Sequence, residues 1–248
     1  MTSAGSHRSG AAPGAESHAP GADTAANTRA RILAAGMRCF ARRGYAGATT
    51  RLIAAEAGCT LPVIAYHFGN KQGLYQACAE EVLERYRQHM LELATDAWTE
   101  ARRGRLDAGA ARALLVRVLH GLVDTLGSEE EEQLHTGFIM RELNEPGPAY
   151  EFLLRELWRP GSLLVADLLA IAGGRARAGA REKAAAMMLI SSLTAFSHQA
   201  AISLRIMKWR ALGLDHRALL KQILTEMVEG LLAAAPAEDA PLPAQDGG

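Results

Sequence analysis

The sequence is poor in cysteine and lacks the motifs of common metal and nucleotide sites. Its three cysteines, Cys39, Cys59 and Cys78, are widely spaced among 248 residues and form no CxxC pair. A zinc site of the usual spacing is therefore not expected. The stretch 173–181 is rich in glycine and arginine, but it lacks the Gly-Lys-Ser/Thr ending of a phosphate loop. The sequence thus predicts no metal and no cofactor.

The chain also lacks the signals of a membrane protein and of the familiar hydrolases. No apolar run approaches the ~20 residues that span a bilayer, and no charged start precedes a signal-type apolar segment. No nucleophile elbow with Ser/His/Asp order and no metal-spaced histidine cluster occurs. We therefore expect a cytoplasmic protein that is neither an enzyme nor attached to a membrane.

Charge is unevenly distributed, although the formal net charge is zero, with 27 basic and 27 acidic residues. The stretch 28–71 holds seven basic residues and a single acid, Glu56, so the rest carries 20 basic and 26 acidic residues. A basic amino-terminal module on an acidic body is typical of a DNA-binding domain joined to a second domain.

The stretch Thr49–Lys71 has the pattern of two short helices joined by a sharp turn. Thr49 or Thr50 can cap the first helix, because a hydroxyl accepts from free backbone N–H groups. Gly58 can take the positive φ that the turn requires. Thr60 can cap the second helix, which Gly69 ends. This is the pattern of a helix-turn-helix, whose second helix enters the DNA major groove.

The remaining periodicity is helical, and no convincing strand or internal repeat appears. We predict an all-α fold of about nine helices, with a three-helix DNA-binding domain followed by a larger helical domain. We expect Pro160–Gly161 to interrupt one helix and residues 181–211 to form another. The predicted divisions are a disordered tail over 1–26, a DNA-binding domain over 27–73, an effector-binding and dimerisation domain over 74–233 and a disordered tail over 234–248.

The last predicted helix, residues 215–233, has apolar residues over an arc too wide to be buried on one side. The simplest second partner for such a helix is the same helix of another subunit, in a four-helix interface. The sequence therefore predicts a homodimer.

A family resemblance rests on several short motifs in order along the amino-terminal module. These are Thr28–Gly36 with Phe40, Gly44-Tyr45, Thr49-Thr50, Ile53-Ala54, Ala57-Gly58, Tyr66–Lys71 and Leu74-Tyr75. The pattern resembles the amino-terminal domain of TetR/AcrR-type transcriptional regulators. The rest of the chain more loosely resembles the CecR-like carboxy-terminal domain, through Arg141-Glu142 followed shortly by a proline and through the late helix from Phe196 to Trp209. The resemblance implies a homodimer that binds palindromic operator DNA and a small-molecule ligand that changes DNA affinity.

The predicted DNA contacts divide into phosphate donors and base readers. Phosphate contacts set affinity and register, and base contacts carry the sequence information. The recognition helix has almost no Arg, Asn or Gln, so we expect methyl contacts to thymine, hydroxyl bonds and groove shape to provide specificity. The candidate phosphate donors are Thr50, Arg51, Tyr66, His67 and Lys71, and the candidate base readers are Thr60, Leu61, Pro62 and Val63, with Ala65 and Tyr66 as further possibilities.

The effector site is predicted between helices of the second domain, where apolar walls combine with a few polar anchors. The candidate residues are His120, His135, Phe138, Arg141, Glu142, Trp158, Phe196, His198 and Gln199. Each of them also has a structural reading as a packing, ion-pairing or interface residue.

Together these features predict a sequence-specific transcriptional regulator, most simply a repressor that a small molecule releases from its operator. The alternative is a DNA-binding regulator that a protein partner controls or that needs no ligand.

Overall fold

The computed structural model describes residues 20–102, 106–126, 130–197 and 200–234, and within these ranges every regular element is helical. The predicted all-α class is confirmed, with eleven α-helical segments in the described residues instead of about nine. The helices are α1 Pro20–Gly47, α2 Thr50–Ala57, α3 Leu61–Phe68, α4 Lys71–Arg102, α5 Ala108–Asp124, α6 Glu130–Asn144, α7 Tyr150–Leu153, α8 Arg159–Ala172, α9 Ala180–Ser192, α10 Ala200–Met207 and α11 Leu214–Ala233.

Helix α1 begins earlier than the sequence indicated. It starts at Pro20, so residues 20–26 are helical although they were predicted to belong to a disordered tail. Proline suits a first helical turn, because its missing N–H has no partner there in any case. Near its other end, Gly44 breaks the helical geometry with φ 69° and ψ 176°, a conformation that is essentially restricted to glycine. The predicted tail segments 1–19 and 235–248 lie outside the described residues.

The predicted interruption at Pro160–Gly161 is wrong. Helix α7 continues through a π-helical turn, Leu154–Trp158, directly into α8, whose first turn contains Pro160. Proline cannot donate the usual helical hydrogen bond, and a wider turn just before it lets the helix pass without a break. A Cβ on Gly161 would lie 3.3 Å from the Tyr86 hydroxyl oxygen, so glycine allows α8 to approach α4 closely.

The predicted single helix over 181–211 is also wrong. Helix α9 ends at Ser192, a 3₁₀ turn follows over Leu193–Phe196, and α10 ends at Met207. The hydroxyls of Ser192 and Thr194 donate to carbonyls three residues earlier, at 2.7 Å each. Such local side-chain bonds compete with the α-helical pattern and favour a tighter turn.

Two separate hydrophobic cores hold the molecule together. The amino-terminal core consists of the buried residues of α1 to α4 together with Phe138 of α6 and Ala149, Leu153 and Leu157 of the segment that follows. The carboxy-terminal core consists of buried residues of α5, α8, α9 and α11. Helix α6 therefore contributes its buried aromatic ring, Phe138, to the amino-terminal core.

Helix α11 has apolar side chains on two faces, as its sequence indicated. Its buried face belongs to the carboxy-terminal core and carries Leu220, Leu224 and Val228. The adjacent stripe of Leu219, Ile223 and Met227 is about 40% exposed. Other exposed large apolar side chains on the neighbouring helices are Met187, Met188, Ile202, Ile206 and Met207.

None of the described helices is by itself long and apolar enough to cross a bilayer. One bent pair, Ala180–Phe196 with Ala200–Met207, satisfies length and composition only when its two parts are taken together.

Candidate DNA interface and effector cavity

The turn between α2 and α3 is built by the residues that the sequence singled out. The Thr49 hydroxyl accepts from the Leu52 N–H at 3.2 Å, which caps α2. Gly58 ends α2 in the left-handed conformation, φ 61° and ψ 42°. Thr60 occupies the N-cap position of α3, but its hydroxyl forms no capping hydrogen bond. These local bonds fix α3 relative to α2 at the surface of the amino-terminal core.

Helix α3 has a buried face and an exposed face. Ile64 is 2% exposed, and Val63 and His67 are half-buried. Val63, a predicted base reader, is therefore less exposed to solvent than Leu61 and Pro62. The residues that are exposed on α3 are Leu61, Pro62, Ala65 and Tyr66, and the Tyr66 side chain is 83% exposed.

Lys71 lies at the first position of α4, where free backbone N–H groups and the helix dipole favour a phosphate. Its ammonium lies 4.4 Å from the centroid of the Tyr45 ring. The Asn70 side chain accepts from the Gly73 N–H at 2.9 Å and so caps this helix. The face of the Tyr45 ring thus contacts the Lys71 ammonium in a cation–π interaction. No local sequence signal indicated this contact.

A second cation lies over an aromatic ring. The Arg29 guanidinium on α1 is 5.1 Å from the ring centroid of Phe68, at the end of α3. Arg29 was not among the predicted DNA contacts, because α1 and α3 are distant along the chain. Arg51 and Thr50, at the start of α2, are exposed and half-buried respectively.

The single acid of the basic module is neutralised by its neighbours. Glu56 forms an ion pair with Arg38 at 2.5 Å and accepts from the Cys39 thiol at 3.0 Å. The hydrogen bond from Arg38 is the main cause that lowers the pKa of Glu56. Burial, and then the bond to Glu56, raises the pKa of the Cys39 thiol to about 12. The surface potential of this module is therefore set by its exposed cations.

Arg141 of α6 reaches the end of α1. Its Nε and Nη2 donate to the carbonyls of Ala41 and Arg42 at 3.4 and 3.2 Å. A Cβ on Gly44 would lie 3.1 Å from the Arg141 Cδ. A cation that binds the last carbonyls of a helix stabilises its negative end. Arg141 thus attaches α6 to the helix that carries Arg42.

Glu142 is 1% exposed and attaches α6 to α4. One carboxylate oxygen accepts from the hydroxyl of Tyr75, which is also buried, and the other accepts from the Gly147 N–H at 3.2 Å. Burial, and then the bond to this carboxylate, raises the pKa of Tyr75. The Phe138 ring lies 4.8 Å from the Tyr75 ring, so an apolar contact accompanies the polar one.

A cavity of about 410 Å³ lies between the end of α5, α6 and the segment around α10. This volume is within the range of small-molecule sites. The residues that line it are Thr125, Leu126, Gln133, Thr136, Gly137, Met140, Phe196, Ser197, Ala200, Leu204, Arg210, Ala211 and Leu212. Hydroxyl, amide and guanidinium groups are thus interspersed among aliphatic walls.

Comparison with known proteins identifies both halves of the chain. Residues 32–78 match the family of bacterial regulatory proteins, tetR family, and residues 111–235 match the HTH-type transcriptional dual regulator CecR, C-terminal domain. The second match alone covers half of the chain. The chain belongs to the TetR family.

The CecR regulator of Shigella flexneri is 27% identical to this TetR-family chain over 202 residues, which is 82% of the chain and 90% of the relative. A TetR-like regulator from Rhodococcus sp. RHA1 has a TM-score of 0.60 at 17% identity, covering 84% of this chain and 97% of that one. The SmeT–triclosan complex has a TM-score of 0.56 at 24% identity, covering 88% and 100%. These two structures share the fold.

In this TetR-family chain the predicted effector residues do not converge on one site. Phe196 lines the cavity, and His198 and Gln199, which follow it in sequence, lie outside the described residues. His120 Nε2 is 2.9 Å from the Thr225 hydroxyl oxygen, between α5 and α11. His135 is buried on α6, and Trp158 packs beside Tyr150 at the amino-terminal core.

Three more of the predicted effector residues, Phe138, Arg141 and Glu142, face α1 and α4. They are not among the residues that line the cavity. Of the residues that line this cavity, only Phe196 was among the predicted effector residues. Among the others, Gln133, Thr136 and Gly137 of α6 are spaced three and four apart, which places them on one helical face. This spacing could have grouped the three residues on one face of α6. It does not tell whether that face borders a cavity, the core or solvent.

Proposed function

We propose that this TetR-family protein is a cytoplasmic, homodimeric repressor that binds operator DNA and is released from it by a small molecule. The observation that carries the proposal is the position of α6 between the cavity and the DNA-binding helices. Gln133, Thr136 and Met140 of α6 border the cavity. Arg141 and Glu142 of the same helix bind α1 and α4.

The mechanism follows from this shared helix. A ligand changes an equilibrium only if it binds two conformations with different affinity. A molecule in the cavity contacts α6 and can displace it. Any displacement of α6 strains the hydrogen bonds that join Arg141 to Ala41 and Arg42 and Glu142 to Tyr75. Because these residues belong to the helices that support α3, the two recognition helices of a dimer would lose their spacing.

On the DNA side, the proposed phosphate contacts are Thr50, Arg51, Tyr66, His67 and Lys71, and Arg29 joins them because of its position beside α3. The exposed cations Arg29 and Arg51 and the half-buried Lys71 support this surface, since phosphate contacts supply most of the affinity of such proteins. Thr60, Leu61 and Pro62 are proposed to face the base edges, with Val63 at the margin.

The proposed dimer uses the exposed stripe of α11. Leu219, Ile223 and Met227 recur every fourth residue beside the buried stripe, so two copies of α11 can pack their apolar faces together. A two-fold dimer presents two copies of α3 to half-sites about one helical turn apart.

The proposal is tested by selecting duplexes from a random pool with the purified protein and then screening a small-molecule library by thermal shift. A ligand that binds only the folded protein raises its melting temperature. We expect at least one such compound to lower operator affinity. A Thr136→Trp variant, which fills the cavity, should lose that compound's thermal shift.

Two results would count against this function. Absence of any preferred duplex would exclude sequence-specific operator binding. Compounds that stabilise the protein through the cavity but leave operator affinity unchanged would favour the alternative, a DNA-binding regulator that a protein partner controls or that needs no ligand.

A further inference from the structure

The exposed face of the recognition helix α3 is made almost entirely of hydrocarbon. Leu61, Pro62, Ala65 and Tyr66 are all exposed, and their spacing of one, four and five places them on one side of the helix. The opposite side carries the buried Ile64 and packs on the amino-terminal core. The face that can enter the major groove is therefore fixed by the packing of α3.

The chemistry of this face limits what it can recognise. It carries no guanidinium, ammonium or carboxamide group, which are the groups that make bidentate hydrogen bonds to base edges. Its polar groups are the phenol hydroxyl of Tyr66 and, at the N-cap, the hydroxyl of Thr60, which forms no capping hydrogen bond. Pro62 in addition has no backbone N–H to donate.

The apolar feature of the major groove that such a face can contact is a pyrimidine methyl group. Thymine presents a methyl group at C5, whereas adenine, guanine and unmodified cytosine present donors and acceptors there. A cytosine methylated at C5 carries its methyl group at the same ring position. Apolar side chains therefore gain contact with either methylated pyrimidine and lose it with uracil or plain cytosine.

We propose that α3 identifies its operator through the 5-methyl groups of pyrimidines, with Leu61 and Ala65 as the main contacts. This inference rests on the proposed operator binding and adds what the protein reads in it. Tyr66, 83% exposed and held edge-on against His67 with ring centroids 5.1 Å apart, contributes the hydroxyl that bonds a neighbouring base or phosphate.

Arg51 is the nearby side chain that recognises DNA by different chemistry. It lies on α2, is exposed and carries a charge, so it contributes affinity through phosphate or guanine. Its contribution does not depend on pyrimidine methyl groups. An Arg51→Ala variant is therefore the matched control for variants of the α3 face.

The test uses the preferred duplex from random selection and the full-length protein. Each thymidine of this duplex, inside and outside the half-sites, is replaced in turn by deoxyuridine, which removes one methyl group and keeps the pairing. We expect about a fourfold loss of affinity at each contacted thymine, the effect of one methyl group, and no change for replacements outside the half-sites.

Two further sets of measurements, on altered duplexes and on protein variants, test whether α3 recognises the methyl groups. A contacted T·A pair changed to C·G should weaken binding, and methylation of that cytosine at C5 should restore part of the loss. Leu61→Ala should abolish the difference between thymine and uracil at one or two positions. Arg51→Ala should weaken binding on every duplex while it keeps that difference.

The outcomes separate this inference from the function on which it rests. Sequence-preferring binding with equal affinity for thymine and uracil duplexes would overturn methyl recognition and leave operator binding intact. Absence of any sequence preference would remove both. Loss of uracil sensitivity in Arg51→Ala, with sensitivity retained in Leu61→Ala, would assign recognition to α2 and overturn the role of α3.

Discussion

Among the residues that the structure describes, the amino-terminal and carboxy-terminal cores each have one buried carboxylate, and the two are held in different ways. Glu142 is bound by Tyr75, 67 residues away along the chain, and by Gly147. Glu182 is bound by Arg175 at 2.6 Å and by the Gly179 N–H at 2.9 Å, both within seven residues. The first carboxylate joins distant helices, whereas the second fixes the start of its own helix.

The apolar side chains of the two cores also differ, because one core contains packed aromatic rings and the other is aliphatic. In the amino-terminal core the rings of Phe40, Tyr45, Tyr75 and Phe138 form a connected series, with centroid distances of 4.7 to 4.9 Å around Tyr75. The buried members of the carboxy-terminal core are all aliphatic. Ring pairs prefer defined angles, and aliphatic chains pack with less directional preference. The DNA-binding side is thus geometrically fixed, while the side with the cavity has fewer directional contacts.

The largest expected effect comes from removing core side chains. Phe138→Ala should lower the free energy of unfolding by about 3–5 kcal/mol, and Leu119→Ala in the other core by about 2–5 kcal/mol. At temperatures where both variants are folded, only Phe138→Ala should lower operator affinity, because Phe138 supports Tyr75. Urea unfolding and fluorescence anisotropy measure the two quantities. An equal loss of affinity in Leu119→Ala would show that the two cores do not act separately.

The two buried carboxylates provide the next comparison. Glu142→Gln and Glu182→Gln should each reduce the free energy of unfolding by about 1–3 kcal/mol, because each weakens hydrogen bonds that a buried carboxylate accepts. Glu142→Gln should also reduce the release of operator by an effector, since α6 is then less firmly attached to α4. Glu182→Gln should leave that release unchanged. The effector concentration that releases half of the bound operator is measured for each variant by titration. Identical values for both variants would contradict the role of Glu142.

A smaller effect is expected at two glycines with positive φ. Gly44 has φ 69° beside Arg141, and Gly174 has φ 78° with no atom within 4 Å of an added Cβ. Gly174→Ala should lose about 1 kcal/mol from its positive φ alone, and the backbone cost should be higher at Gly44, whose combination of φ 69° and ψ 176° is essentially restricted to glycine. Gly44→Ala should lose more, because its Cβ must displace Arg141. Thermal unfolding of both variants tests this, and equal melting temperatures would contradict both the stricter backbone requirement at Gly44 and the cost of displacing Arg141.

Surface cations should have the smallest effect on stability. Arg51→Ala, Lys71→Ala and, as a control on α9, Lys183→Ala should each change the free energy of unfolding by less than about 0.5 kcal/mol. The first two should nevertheless weaken operator binding and each reduce the slope of log affinity against log salt by about one for every subunit of the dimer. Lys183→Ala should leave the slope unchanged. A wild-type affinity that does not depend on salt would exclude the phosphate contacts.

The features that the sequence predicted are those with local causes. The cap at Thr49 and the turn at Gly58 depend on residues within a few positions, and both are present, whereas Thr60 occupies its predicted N-cap position without a capping hydrogen bond. The wide apolar arc of α11 is likewise a property of one helix. Periodicity also sufficed to predict the all-α class.

The features that the sequence did not predict depend on contacts between distant segments. Pro160 interrupts an isolated helix, yet a preceding π turn absorbs the defect. Arg141 and Glu142 have the polarity of ligand anchors, and only the packing of α6 against α1 and α4 shows that they bind protein groups. Arg29 and Phe68 come together because α1 crosses the end of α3. No pattern within one helix contains this information.

The position of α6 between cavity and DNA-binding core has a thermodynamic consequence for the proposed function. Coupling between two binding sites is reciprocal, so the factor by which an effector weakens operator binding is also the factor by which operator weakens effector binding. Protein that is free of DNA would then capture the effector first, and the operator-bound dimer would respond last. The number of free copies would therefore set the effector concentration at which a promoter switches.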